Sequence, residues 1–330
     1  MSSEAGAIHP GDILGGRYQV ARVLGRGGMG VVVEATDLQS GEPRAVKLLT
    51  PAALRHPTTV ERFFREARAT ARLTSEHAVR VYDVGTLASG LPYMAMELLV
   101  GADLRAALTR RGALPAHEAA LHVIQACRAL QEAHAAGVVH RDLKPANLFL
   151  TQRPDGSTCV KVLDFGISKA MVQTDEDDDL TLTNTVLGSP AYMSPEQIRS
   201  ARSVDPRTDI WSLGVVLYQL VTGKLPFESS NASELVTLVV RAAPAPPSSR
   251  RPGLPLALDA VVFRCLQKDP ARRFSTVAEL AAALMPFSPS APGGASIPPG
   301  PAPGRRVGLV ALSVAGALVL VIAVALAVLR

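Results

Sequence analysis

A chain of 330 residues holds one large domain or two smaller ones, and 48% hydrophobic residues supply enough apolar side chain for a substantial core. Aromatics at 4% argue against a base-stacking platform, and a net charge of +5 spread along the chain does not imply a nucleic-acid partner. The three cysteines, Cys127, Cys159 and Cys265, are far apart and odd in number, with neither disulfide nor metal-ligand spacing, as expected in a reducing cytosol.

Residues 1–13 are expected to be a short tail. Met1 to Pro10 lack the basic and apolar regions of a signal peptide, so the chain is read as starting in the cytoplasm. From Tyr18 to Leu49, apolar runs alternate with glycines, which reads as strands and turns. Val60 to Leu73 has helical character, with Arg62, Arg65, Arg68 and Arg72 spaced as one solvated face. Ala78 to Leu98 returns to short strands around the turn residues Ala88, Ser89 and Gly90. After Leu104 helices dominate: His117 to Ala136, Asp209 to Leu220, Leu256 to Leu266 and Thr276 to Leu284. An α+β architecture is expected, with a β-rich lobe over about 14–98 and a helical lobe over about 99–284.

Residues 285–306 are rich in Pro, Gly, Ser and Ala and have little to bury, so they read as an extended linker. Residues 307–329 carry no charge. At a rise of about 1.5 Å per residue that run spans roughly 35 Å, enough for a transmembrane helix. The competing assignment, a buried core helix, is disfavoured because the linker separates the run from the core. Arg305 and Arg306 before it, against Arg330 after it, favour a cytoplasmic N-terminal side: a tail anchor in the plasma membrane, with lipid as its partner.

The residues that carry chemistry fall in a fixed order. Gly25, Gly27, Gly28 and Gly30 precede Val32, and glycines so spaced let backbone N–H groups approach phosphate oxygens. Dinucleotide-binding folds share the pattern, but they place it between a strand and a helix. Here Val31 to Ala35 continues as strand, so the loop sits in a hairpin, as a lid over a nucleotide. Lys47 follows on the next strand, and Glu66 on the predicted helix is the anion expected to pair with it. The stretch His140-Arg141-Asp142-Leu143-Lys144-Pro145-Ala146-Asn147, then Asp164-Phe165-Gly166, supplies what phosphoryl transfer needs. Asp142 is the carboxylate for an accepting hydroxyl, Lys144 the cation on the migrating phosphate, and Asn147 and Asp164 the oxygen ligands for magnesium.

With these motifs the chain resembles the eukaryotic-like (Hanks-type) serine/threonine protein kinases, especially their bacterial transmembrane members, over about Leu14 to Leu284. The resemblance implies a two-lobed protein kinase fold: a five-stranded sheet with a helix above a helical lobe, and ATP and Mg²⁺ (or Mn²⁺) in the cleft. It further implies that Val32 and Ala45 cover the adenine, with Phe149 beneath it. Met96 would be the gatekeeper, Glu97 to Leu99 the hinge, and Asp103 a ribose contact. Lys144, two residues after Asp142, marks serine/threonine rather than tyrosine specificity, so protein substrates are implied. Ser189 and Ser194 stand where the family usually has Thr and Ala, both mild departures. Glu196 would pair with Arg273, Asp209 would brace the catalytic loop, and Trp211 would pack.

Arg141 beside Asp142 implies control by phosphorylation, with Thr181 and Thr183 as autophosphorylation sites and Thr185 a weaker candidate. The acidic run Asp175 to Asp179 reads as a solvated loop, with an autoinhibitory phosphate mimic as the sharper alternative. Gly308, Ala311, Ala315 and Gly316 would let two spans pack as a homodimer, although alanine-rich spans are common without one. The competing functions are a catalytically silent pseudokinase scaffold, against which Lys47, Asp142 and Asp164 all stand, and a small-molecule kinase, which would lack Lys144-Pro145 in this setting.

Overall fold

The computed structural model describes residues 8–27, 30–55, 57–165, 190–200 and 204–288, without the side chains at 57, 58, 62 and 66. The N-terminal half builds a six-stranded antiparallel sheet. In chain order its elements are β1 (Ile13–Leu14), β2 (Tyr18–Arg26), β3 (Gly30–Asp37), β4 (Pro43–Leu49), helix α1 (Pro57–Thr70), β5 (Val81–Thr86) and β6 (Pro92–Glu97). The strand order is β1-β2-β3-β4-β6-β5. The sixth strand, beyond the five expected, is the two-residue β1, which pairs Leu14 with Tyr18.

Alternation explains how the sheet is filled. Val31, Val33, Ala35 and Asp37 of β3 are buried while the residues between them are only partly so, the period-two pattern of a sheet with two unlike faces. One face gathers Leu14, Tyr18, Val20, Val33, Val46, Leu48 and Ala95. The other packs Ala45, Leu49, Met94 and Met96 against Phe63 and Ala67 of α1, a helix whose apolar residues recur at helical spacing. Arg65, Arg68 and Arg72 are exposed, as the arginine spacing predicts.

The second half is helical around one central element. It contains β7 (Ala102–Asp103), α2 (Leu104–Arg111), α3 (Ala116–Ala135), β8 (Leu148–Gln152), β9 (Thr158–Val162) and short α4 (Pro195–Arg199). Then follow α5 (Arg207–Thr222), α6 (Ala232–Arg241), α7 (Pro247–Arg250), α8 (Leu256–Cys265) and α9 (Val277–Leu284). Every residue of α5 from Thr208 to Tyr218 is buried, so it is the hydrophobic axis of this lobe rather than an amphipathic surface helix. Gly223 ends it in the left-handed region at φ 74°, with its N–H on the Gln219 carbonyl. Gly214 lets α8 approach: a Cβ there would lie 2.4 Å from the Cys265 Cβ. Trp211 is fully buried and stacks on Phe227, centroids 6.1 Å apart, which agrees with its expected packing role.

The lobes are tied behind the cleft by backbone. Val162 of β9 accepts from Val79 N–H at 3.1 Å and donates to the His77 carbonyl at 2.7 Å. No helix among the described residues is long and apolar enough to cross a membrane, and the run 307–329 lies outside them.

Candidate active site

The glycine-rich loop is a hairpin. Gly25 pairs with Val32 and Arg26 with Val31, and Gly27 N–H donates to the Gly30 carbonyl at 2.8 Å to close the tip. Gly30 is required sterically, since a Cβ would stand 2.5 Å from the Leu48 carbonyl oxygen. Gly25 has no such neighbour, so its glycine leaves open space instead. Gly28 lies outside the described residues.

Beneath the hairpin, Val32, Ala45 and Met96 belong to one apolar cluster with Leu24, Leu98 and Leu163. Phe149 is not in it. It sits half-buried on β8 opposite Asp103, with its ring edge against Gly101. Asp103 serves as the N-cap of α2, its Oδ1 accepting from Ala106 N–H at 2.7 Å. At the hinge, Glu97 N–H donates to the Arg80 carbonyl and its Oε1 accepts from Lys161 Nζ at 2.7 Å, so this side chain binds β9. Leu99 follows, half-buried, where the chain crosses to the second lobe.

Lys47 is brought to Asp164, with Nζ 2.5 Å from Oδ1. The expected partner Glu66 lies on α1, but its side chain is outside the described residues. Asp164 is partly exposed, and the loss of water on its protein-facing side acts to raise its pKa; the Lys47 ammonium outweighs this, with help from His140 and against Asp142, so the carboxyl is held below its ordinary value. Hydrogen bonds tie the segments that carry the two carboxylates: Leu163 N–H donates to the Asn147 carbonyl at 2.9 Å, and Asn147 in turn bonds Asp142. The Asp142 side chain accepts from Lys144 Nζ at 2.9 Å, and Asn147 Nδ2 donates to the Asp142 backbone carbonyl at 2.8 Å.

Two residues here have left-handed backbone without being glycine: Arg141 at φ 64° and Asp164 at φ 51°. Such conformations persist only where surroundings hold them. Asp209, fully buried on α5, accepts from both His140 N–H and Arg141 N–H at 2.9 Å, and His134 Nε2 lies 2.7 Å from the same carboxylate. Gln197 of α4 donates to the Arg141 carbonyl at 2.8 Å. The His140 ring bonds the Leu163 carbonyl at 2.8 Å, and Leu163 N–H donates to the Asn147 carbonyl. The bracing role expected of Asp209 therefore has a geometry. His134, Gln197 and the His140 ring were missed, because nothing in their spacing distinguishes them from other helix or loop polar residues.

Glu196 and Arg273 form a two-pronged pair at 2.6 and 2.7 Å, with Thr208 donating to the same carboxylate. Burial raises the Glu196 pKa, and Arg273 more than reverses it. Arg141 Nε is buried with no hydrogen-bond partner among the described residues. Thr181 and Thr183 lie outside them.

Residues 18–285 match the family model for the protein kinase domain. The serine/threonine-protein kinase pkn3 of Myxococcus xanthus is 41% identical over 259 residues, 78% of this chain and 47% of that protein. PknB of Mycobacterium leprae is 41% identical over 275 residues, 82% of this chain and 43% of the relative. The chain thus spans less than half the length of these curated relatives. The crystal structure of the Mycobacterium tuberculosis PknI kinase domain has a TM-score of 0.67 at 30% identity, covering 86% of this chain and 100% of that one. The chain belongs to the protein kinase domain family, alongside bacterial Hanks-type serine/threonine kinases.

Proposed function

We propose that the protein transfers the γ-phosphoryl group of ATP to serine or threonine hydroxyls of proteins. The observation that carries this is the linked set Lys47–Asp164 and Lys144–Asp142–Asn147, gathered beside one apolar wall. The acceptor oxygen bonds the γ-phosphorus, the bond to ADP breaks, and Asp142 takes the hydroxyl proton. Lys144 sets positive charge beside that carboxylate, where the migrating phosphoryl passes, and Lys47 holds the nucleotide phosphates. Val32, Ala45, Met96 and the backbone of Glu97 to Leu99 receive adenine.

The donor set suits a hard divalent cation. Asp164 offers carboxylate oxygen on a side chain 42% exposed, and Asn147 spends its amide nitrogen on Asp142, which leaves its oxygen as the ligand atom. Magnesium, when bound, offsets charge on the phosphate oxygens.

Regulation follows from Arg141. Its buried Nε, without a hydrogen-bond partner among the described residues, suits an anion, and phosphate on Thr181 or Thr183 would supply one. The uncharged run 307–329 anchors the kinase to the cytoplasmic membrane, and confinement there favours phosphorylation between copies.

The deciding experiment is mass spectrometry of the expressed protein beside Asp142→Asn. Wild type should carry phosphate on Thr181 or Thr183, and the variant should lose about 10²- to 10⁴-fold in rate. Equal phosphorylation of both would sink the reading.

A further inference from the structure

The segment between α1 and β5, residues 71–80, is held to the second lobe by side chains from two elements. Glu132 stands in the last turn of α3, at the negative end of that helix, where an acid disfavours the helix itself. Its carboxylate is used on the segment instead. Oε1 accepts from Thr74 N–H at 2.7 Å and from the Thr74 hydroxyl at 2.8 Å, and Oε2 accepts from Ser75 N–H at 2.7 Å. Partial loss of water acts to raise the Glu132 carboxyl, and the bonds from Thr74 and Ser75 reverse this, so it is held below its ordinary value.

The residue after Ser75 is taken by the turn between β8 and β9. Arg153 Nε donates to Glu76 Oε2 at 2.8 Å and its Nη2 to Oε1 at 3.0 Å, while Nη1 donates to the Thr158 carbonyl at 3.0 Å. His77 is 1% exposed, and its Nδ1 lies 2.9 Å from the Val160 carbonyl oxygen. With the backbone bonds from Val162 to His77 and Val79, positions 74 to 79 form one seam against α3 and β9.

Both ends of this seam lead into the site. On one side Leu73 N–H donates to the Thr70 carbonyl and finishes α1, the helix that carries position 66 and packs on β5 and β6. On the other, β9 continues through Leu163 to Asp164, the partner of Lys47. The end of α1 is thereby referenced to the strand that presents Asp164. Core packing does not explain these contacts: the Glu76 side chain is 56% exposed, and so open an ion pair adds little stability. An acid at a helix C-terminus and an open ion pair are local choices that point to a functional demand.

We propose that Glu132 and Arg153 are positioning residues for phosphoryl transfer. By fixing residues 74–76 to the second lobe they set the end of α1 relative to Asp164, and so the fraction of molecules in which Lys47 stands in transfer geometry. Both act through Thr74, Ser75 and Glu76 rather than on the reacting atoms. This rests on the kinase reading above and adds to it the residues that register the two halves of the site.

The test uses the detergent-solubilised full-length protein with ATP, Mg²⁺ and a serine/threonine peptide, well below its unfolding temperature. For each variant kcat, KM and the unfolding temperature are measured. Glu132→Ala should lower kcat about 3- to 30-fold with KM for the peptide unchanged, the pattern of a smaller competent fraction. Glu132→Gln, which keeps one acceptor oxygen, should lose less. Glu76→Arg and Arg153→Glu should each lower kcat about two- to fivefold, and the double swap should restore it. Should Glu132→Ala not fold, Glu132→Gln and the swaps carry the same test. Wild-type kcat in the folded single variants, with only the unfolding temperature lowered, overturns the inference while the kinase reading stands. So does a double swap no faster than either single. A wild-type protein that labels neither the peptide nor itself overturns both.

Discussion

Arg141 and Asp164 hold non-glycine left-handed backbone; the Arg141 N–H and carbonyl are bonded by Asp209 and Gln197, and the Asp164 side chain by Lys47. Asp209 is the main pin on Arg141, with two N–H groups and the His134 ring on one buried carboxylate. Asp209→Asn keeps the volume but turns one acceptor into a donor facing N–H groups. Its kcat should fall at least tenfold with little change in the KM for ATP, read in steady-state kinetics. Glu196 and Arg273 act on stability instead. Arg273→Ala leaves a buried carboxylate without its cation and should lower unfolding free energy by about 3–5 kcal/mol, seen as a shifted urea midpoint. A shift below about 1 kcal/mol would show that Thr208 and water suffice.

Between elements, the connections near the cleft are tight in backbone and charged at the surface. Gly101, where the chain leaves the hinge, has φ 149°, and a Cβ there would fall 1.9 Å from the Leu150 carbonyl oxygen. Gly101→Ala should therefore cost about 2–3 kcal/mol or more in thermal stability, through strain and displacement of β8. Arg111 at the end of α2 grips Glu118 at the start of α3, and the His122 ring lies 3.5 Å from the same carboxylate. His122 lowers the Glu118 carboxyl most, burial opposes, and Arg111 adds, for a value of about 2 against an ordinary 4.5. A depressed carboxyl pKa stabilises the fold above the ordinary value, and that contribution is lost as pH falls from 4.5 towards 2. Glu118→Gln should be less stable than wild type at neutral pH, with the two curves converging across that window in pH-dependent denaturation. Parallel curves would refute the linkage.

For the molecule as a whole, the described kinase domain is closed around α5, and its buried core ends at Leu284. Removing residues 289–330 should leave the unfolding temperature of the domain unchanged while releasing the protein from membranes into the soluble fraction. Full-length protein found in the soluble fraction would end the anchoring proposal.

Motif order and side-chain period were legible without coordinates because both are local. Glycine spacing, the strand lysine and the His140 to Asn147 stretch were readable, as were the long helices expected at His117 to Ala136 and Asp209 to Leu220 and found at Ala116–Ala135 and Arg207–Thr222. The helix α6 was not, since its Leu-Val-Thr-Leu-Val-Val run is rich in β-branched residues and mimics a strand until Asn231 caps it. Contacts across many residues of chain were decided by packing: Lys47 reaching Asp164, Glu97 turning to Lys161, and Gln197 holding Arg141. Those partners are chosen by which elements meet in space, and one-dimensional spacing carries no record of that choice. Residue type and local order thus specified the chemistry and the class of fold. Folding in three dimensions assigned each charged group its partner, because burial makes an unpaired polar group too unfavourable to leave alone.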